Sequence, residues 1–136
     1  DKAEELKLCM DMYSTVVKIQ NLASGEWISY NHTYHTEKET KIAVIPFGYY
    51  EGFDRKLSNN YVVKIKNKYY PIRGRICMNL AMIEIWDDKI SIWDEVEIIS
   101  SNKADKNTLY SMAKSTQTIA YEVAVKIRAN IRKQIK

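Results

Sequence analysis

Apolar and polar residues alternate along most of this chain with the two-residue period of strands. Residues 15–20 read as a strand, and Ala23-Ser24-Gly25-Glu26 reads as a turn into a second strand at 27–30. The run 41–47 is nearly all apolar and β-branched, which predicts a buried central strand ending at Pro46, a residue with no N–H for a ladder. A glycine-containing loop spans 48–60. Strands are predicted at 61–66 and 69–73, joined through Asn67-Lys68 as a tight hairpin. Short strands follow at 75–78, 81–86 and 95–100; Ile83 and Ile85 alternate with Glu84, and Val96 and Ile98 with Glu95 and Glu97.

The period then changes. Asp105 is placed to cap a helix over 106–115, with Leu109, Met112 and Ala113 on one side. From 117 to 136, Ile119, Val123, Ile127 and Ile131 recur every four residues, which predicts a second helix with no glycine cap. About eight short strands followed by two helices, with no βαβ alternation, exclude a doubly wound sheet. The predicted fold is mainly β, a partly open barrel or sandwich with two C-terminal helices. At 136 residues, without repeats or a linker, the whole of 1–136 is expected to form one domain.

Composition narrows the function. Ten tyrosines against two phenylalanines suit half-buried strand positions and supply hydroxyl groups for chemistry. Two cysteines, Cys9 and Cys77, form no framework and are expected to be buried thiols in a reducing, cytoplasmic setting. No apolar run is long enough to span a membrane, and the charged start at 1–5 has no signal-peptide core. The first residue is Asp1, not Met, so a piece of a longer protein is expected. Much of the net charge of +4 lies after Glu122, in Lys126, Arg128, Arg132, Lys133 and Lys136. No nucleic-acid motif accompanies this tail, so a solvated helix end is expected. His32 and His35 lack a third ligand, so no metal site is expected, and no phosphate-binding glycine loop is present.

Four stretches carry a more specific signal. They are Gly25-Glu26-Trp27-Ile28-Ser29-Tyr30, Pro46-Phe47-Gly48-Tyr49-Tyr50-Glu51-Gly52-Phe53, Pro71-Ile72-Arg73-Gly74-Arg75-Ile76-Cys77-Met78-Asn79 and Thr118-Ile119-Ala120-Tyr121-Glu122-Val123. In this order and spacing they resemble the C-terminal β-domain of alanine racemases, from about residue 13 to residue 128. The resemblance implies an N-terminal barrel, absent from this sequence, whose lysine carries pyridoxal 5'-phosphate. It also implies a head-to-tail homodimer in which each β-domain caps the partner's barrel, and a small amino-acid substrate, alanine before serine or another. On its own the domain is expected to be inactive and to bind no cofactor.

The same resemblance assigns roles. Tyr30 is the implied catalytic acid/base, facing the barrel lysine across the cofactor. Met78 is the implied substrate contact, through its backbone N–H. Tyr49 is an implied substrate-entrance residue, and Tyr121 the implied donor to the cofactor phosphate. Inversion needs two proton-transfer groups on opposite sides of a plane, and a phenol can serve one side if positive charge lies nearby. That charge is expected from the barrel. Four positions depart from the family pattern: Asn31 and Trp93 where glycine is usual, and Glu51 and Asn79 where aspartate is usual. Asn31, Asn79 and Trp93 keep open the alternative of a catalytically degenerate dimerisation domain, and the ten tyrosines with the basic tail that of a non-catalytic β-barrel module binding single-stranded nucleic acid. If Asn31 has a positive φ, asparagine is the least costly replacement for glycine there.

Overall fold

The computed structural model describes residues 9–135. Among the described residues, seven antiparallel strands form two sheets. The first has the order β1 (Met12–Thr15), β7 (Glu95–Ile99), β4 (Val62–Ile65), β5 (Lys68–Pro71). The second has the order β2 (Lys18–Leu22), β3 (Thr40–Ile45), β6 (Ala81–Trp86). The predicted central strand is therefore central, with β3 paired on both sides.

The two sheets make a ring that does not fully close. One junction is the chain itself: the predicted strand 15–20 breaks at Val16-Val17, whose amides bond to Asp94 O in one sheet and Val44 O in the other. The other junction is a single bridge, Ile72 to Ile83. Side chains at alternate positions fill the interior, among them Val63, Ile65, Ile83, Ile85, Val96 and Ile98, all at most 1% exposed. Phe47, Phe53 and Tyr61 form an aromatic row with centroids 5.4 and 5.9 Å apart. The buried Tyr61 hydroxyl donates to Ile98 O at 2.8 Å.

Several local expectations are corrected. The β4–β5 turn is Lys66-Asn67, one residue earlier than predicted, with φ of 48° and 63°. Two successive positive φ values match the twist of the flanking strands, and asparagine tolerates them. Residues 27–30 and 75–78 are not strands; only Trp27 keeps one bridge, to His35. Helix α1 is Leu109–Thr116, capped by the Thr108 hydroxyl, which accepts from Ser111 N. Helix α2 is Ala120–Lys126 and stops there instead of running to the C-terminus. Ile127 turns extended, Ile127 and Ile131 pack on the core, and Arg128 N donates to Glu51 O. Lys136 lies outside the described residues. Cys9 is exposed and Cys77 half-buried, so neither is the buried thiol expected.

Asp105 does a different job from helix capping. Its carboxylate binds Lys64 Nζ at 2.5 Å, Ser100 Oγ at 2.5 Å and Tyr69 Oη at 2.9 Å. Lys64 also pairs with Glu97 at 2.9 Å. The Lys64 ammonium, with the two hydroxyls, holds the Asp105 carboxyl down to about 2. Trp93 has φ of 77°, which accounts for the family's glycine; its ring is 74% exposed and buries little in return.

Asp105 contributes its stability in full above the ordinary carboxylate range and loses it as pH falls toward about 2. Asp105→Asn should lower urea stability at pH 7 by about 2 kcal/mol and flatten that acid-dependent loss. Trp93→Gly should raise stability by about 1 kcal/mol, because the strain of a left-handed tryptophan exceeds the entropy added to the unfolded chain. Chemical denaturation across pH measures both.

Candidate functional site

Three of the four implied site residues gather around the segment 76–78. Tyr30 sits in a turn where Ser29, Asn31 and His32 have φ of 63°, 60° and 47°. Asn31 is thus left-handed, and asparagine keeps the turn that glycine would make. The turn is held from below. Ser29 Oγ donates to Arg75 O at 2.7 Å, and Gly74 N donates to Asn59 Oδ1 at 2.6 Å. Asn59 Nδ2 also reaches Thr33 Oγ1 at 3.3 Å. Gly74 has φ of 74°, and a Cβ on it would stand 2.5 Å from Ile28 O, so the two segments meet backbone to backbone.

A second anchor lies just beyond. The Arg73 guanidinium covers the Tyr34 ring at 4.5 Å and binds buried Glu84 at 2.9 Å. Tyr34 Oη donates to the same carboxylate at 3.3 Å. Burial pushes the Tyr34 hydroxyl up from its ordinary value, so it stays a donor to Glu84. His32 and His35 pack on the Trp27 ring, with centroids 4.8 and 5.1 Å away. Among the described residues no group of three His, Cys, Asp or Glu could hold a metal. No helix among them is long and apolar enough to cross a membrane.

Held this way, Tyr30 projects at 41% exposure, and its hydroxyl reaches Ile76 O at 3.4 Å. Arg55, in the 3₁₀ turn Arg55–Leu57, lies over its ring at 5.8 Å. This domain thus brings a cation of its own to the Tyr30 ring. Arg55 escaped the sequence reading because no local pattern separates a functional loop arginine from a solvated one. Neither Arg55 nor Arg75 joins an ion pair among the described residues, and the Arg75 Nε is buried without an acceptor.

Tyr49 enters from the 3₁₀ turn Tyr49–Glu51. Its N–H donates to Cys77 O at 3.0 Å, and the N–H of Tyr50 to Met78 O at 2.9 Å. This crossing requires Gly48: a Cβ there would lie 2.2 Å from Cys77 O and 2.5 Å from Met78 O. Met78 is 51% exposed at the tip of a loop closed by Cys77 N to Leu80 O. Its carbonyl is used, while its N–H donates to no acceptor among the described residues. Tyr121 stands apart. It lies in the first turn of α2, 74% exposed, with no hydrogen bond or ring contact to the Tyr30 group.

The fold has counterparts in known proteins. Residues 9–135 match the family model described as alanine racemase, C-terminal domain. The chain belongs to the alanine racemase C-terminal domain family. Alanine racemase 1 of Caldanaerobacter subterraneus is 36% identical over 132 residues, covering 96% of this chain and 34% of that protein. Alanine racemase 1 of Clostridium acetobutylicum is 38% identical over 127 residues, covering 93% and 33%. Among solved structures, alanine racemase from Streptomyces lavendulae superposes with a TM-score of 0.88 at 28% identity, over 96% of this chain and 34% of that one. The Clostridium difficile enzyme in complex with cycloserine gives 0.79 at 34% identity, over 87% and 31%. The chain spans about one third of the length of these alanine racemases.

The alternative of a non-catalytic binding module is not favoured, because the family match runs over residues 9–135. The backbone crossing gives a direct test of how the site is built. Gly48→Ala should destabilise the fold by at least about 2 kcal/mol, since the collision is with backbone on both sides. Urea denaturation of the variant reads the loss.

Proposed function

We propose that this chain is the β-domain of a pyridoxal-phosphate-dependent racemase that interconverts L- and D-alanine, with Tyr30 as the acid/base on one face of the substrate. The observation that carries the reading is the Tyr30 phenol itself. It is exposed on a left-handed turn, with Arg55 over its ring, on the same 76–78 segment that bears Met78 and Tyr49. A racemase needs a rigid proton carrier with an open face, and this phenol meets both conditions.

The donor set of this chain fits a share of a cofactor site, not a whole one. Tyr121 is an exposed phenol near a helix start, suited to donate to a phosphate oxygen. The remaining cofactor contacts belong to the N-terminal barrel that the family's proteins possess. Bound pyridoxal phosphate supplies an electron sink that acidifies the α-proton. This chain supplies the rest of one face. Tyr30 Oη holds or takes the proton there. The Met78 N–H binds the substrate carboxylate, and Arg55 and Arg75, which join no ion pair among the described residues, add positive potential along its approach. Tyr49 narrows the entrance. The opposite face belongs to the barrel lysine of a head-to-tail partner in a cytoplasmic homodimer, so the isolated domain is inactive.

The test uses the natural full-length protein. Tyr30→Phe should lower alanine racemisation at least about 100-fold with the fold intact by circular dichroism, since general acid–base groups contribute about that much or more. Following D-alanine formation with a coupled oxidase reads it. Undiminished turnover would remove Tyr30 from the role.

A further inference from the structure

Two departures from the family pattern, Glu51 and Asn79, are 28 residues apart in sequence and touch in the fold. Asn79 Nδ2 donates to Glu51 Oε1 at 3.0 Å. The other carboxylate oxygen, Oε2, accepts from Gly48 N at 2.8 Å. The Glu51 carbonyl accepts from Arg128 N at 3.3 Å. One residue thus joins the Tyr49 turn, the Met78 loop and the segment after α2.

The arrangement depends on the charge state of position 79. Glu51 presents two acceptor oxygens, and both partners must be donors. Asn79 is a donor. The family's usual residue at 51 is the shorter aspartate; with the longer Glu51 in place, an aspartate at 79 would set two carboxylates at hydrogen-bond distance, where they repel. Asn79 also adjoins Met78, whose N–H the proposed reaction uses, so displacement of residue 79 moves that donor directly. The neutral side chain keeps a second negative charge away from the substrate carboxylate. The other groups facing the pair do not replace it: Arg128 offers its amide to Glu51 while its guanidinium lies on Tyr50, and the nearest acid in the same loop, Asp54, faces Lys126 at 3.8 Å.

We infer that Glu51 and Asn79 form a positioning pair that locks the Met78 loop to the Tyr49 turn and so sets substrate affinity; this rests on the racemase reading above. The pair acts through Met78 and touches no reacting atom, so its signature is in KM, not kcat.

The experiment compares the full-length protein with Asn79→Asp and with Asn79→Asp/Glu51→Gln. In the single variant two carboxylates face each other and the donation from Asn79 Nδ2 is lost. We expect KM for alanine to rise about fivefold, with kcat within about twofold. Glutamine at 51 accepts from Gly48 N and donates to the carboxylate introduced at position 79, so the double variant should return KM toward the parent. Hydrogen exchange of peptides covering 47–53 and 75–80, compared with the parent at matched pH, should accelerate in Asn79→Asp and recover in the double variant. An unchanged KM, or no recovery with glutamine, overturns the positioning role. A protein that racemises no amino acid sinks the racemase reading instead, and unchanged exchange in Asn79→Asp then sinks the lock independently.

Discussion

The site depends on one close approach. Two polypeptide segments cross at Gly48 with so little room that a single methyl group would meet two carbonyl oxygens. Only because that side chain is missing can the amides of Tyr49 and Tyr50 reach the carbonyls of Cys77 and Met78. Those two bonds fix the Tyr49 turn on the segment that also receives the Tyr30 hydroxyl. A backbone-to-backbone joint of this kind leaves little freedom, which suits chemistry that tolerates no ångström-scale drift.

Around that joint, polar contacts act as guy lines from the barrel. Ser29 bonds to the Arg75 carbonyl, Asn59 spans Gly74 and Thr33, and Arg73 with Glu84 grips Tyr34. Most run from loop to loop and not along a ladder. The sheets supply the rigid base, and the loops supply the aim. The tyrosine is therefore held on both sides of its turn while its own ring stays open.

This division explains what could be read from the sequence. Strands whose one face is wholly interior, such as those with Val63 and Ile65 or Val96 and Ile98, announce themselves by strict alternation. Residues 27–30 and 75–78 are also apolar enough to read as strands, yet they are joined by the Ser29 side chain reaching the Arg75 backbone. Asp105 looks like a helix cap locally, but its partner Lys64 lies 41 residues away. The second helix breaks where Ile127 and Arg128 leave it for tertiary contacts, which no local period reveals. Tyr30, Met78, Tyr49 and Tyr121 are singled out by the family resemblance alone; physical pattern treats each as an ordinary surface or core residue. Arg55, and the contact between Glu51 and Asn79, belong to tertiary structure alone.

The segment after α2 closes over this arrangement last. Arg128 lies on Tyr50 and bonds to Glu51, while Lys126 and Ile127 pass against Gly52. The Tyr49 turn is thus completed by residues far downstream of it. During synthesis the tyrosine emerges early and waits, its surroundings unfinished, until the second helix has cleared the ribosome. The order of translation is in this sense a timer: a nascent chain interrupted before Arg128 carries the Tyr49 turn without the strap that covers it.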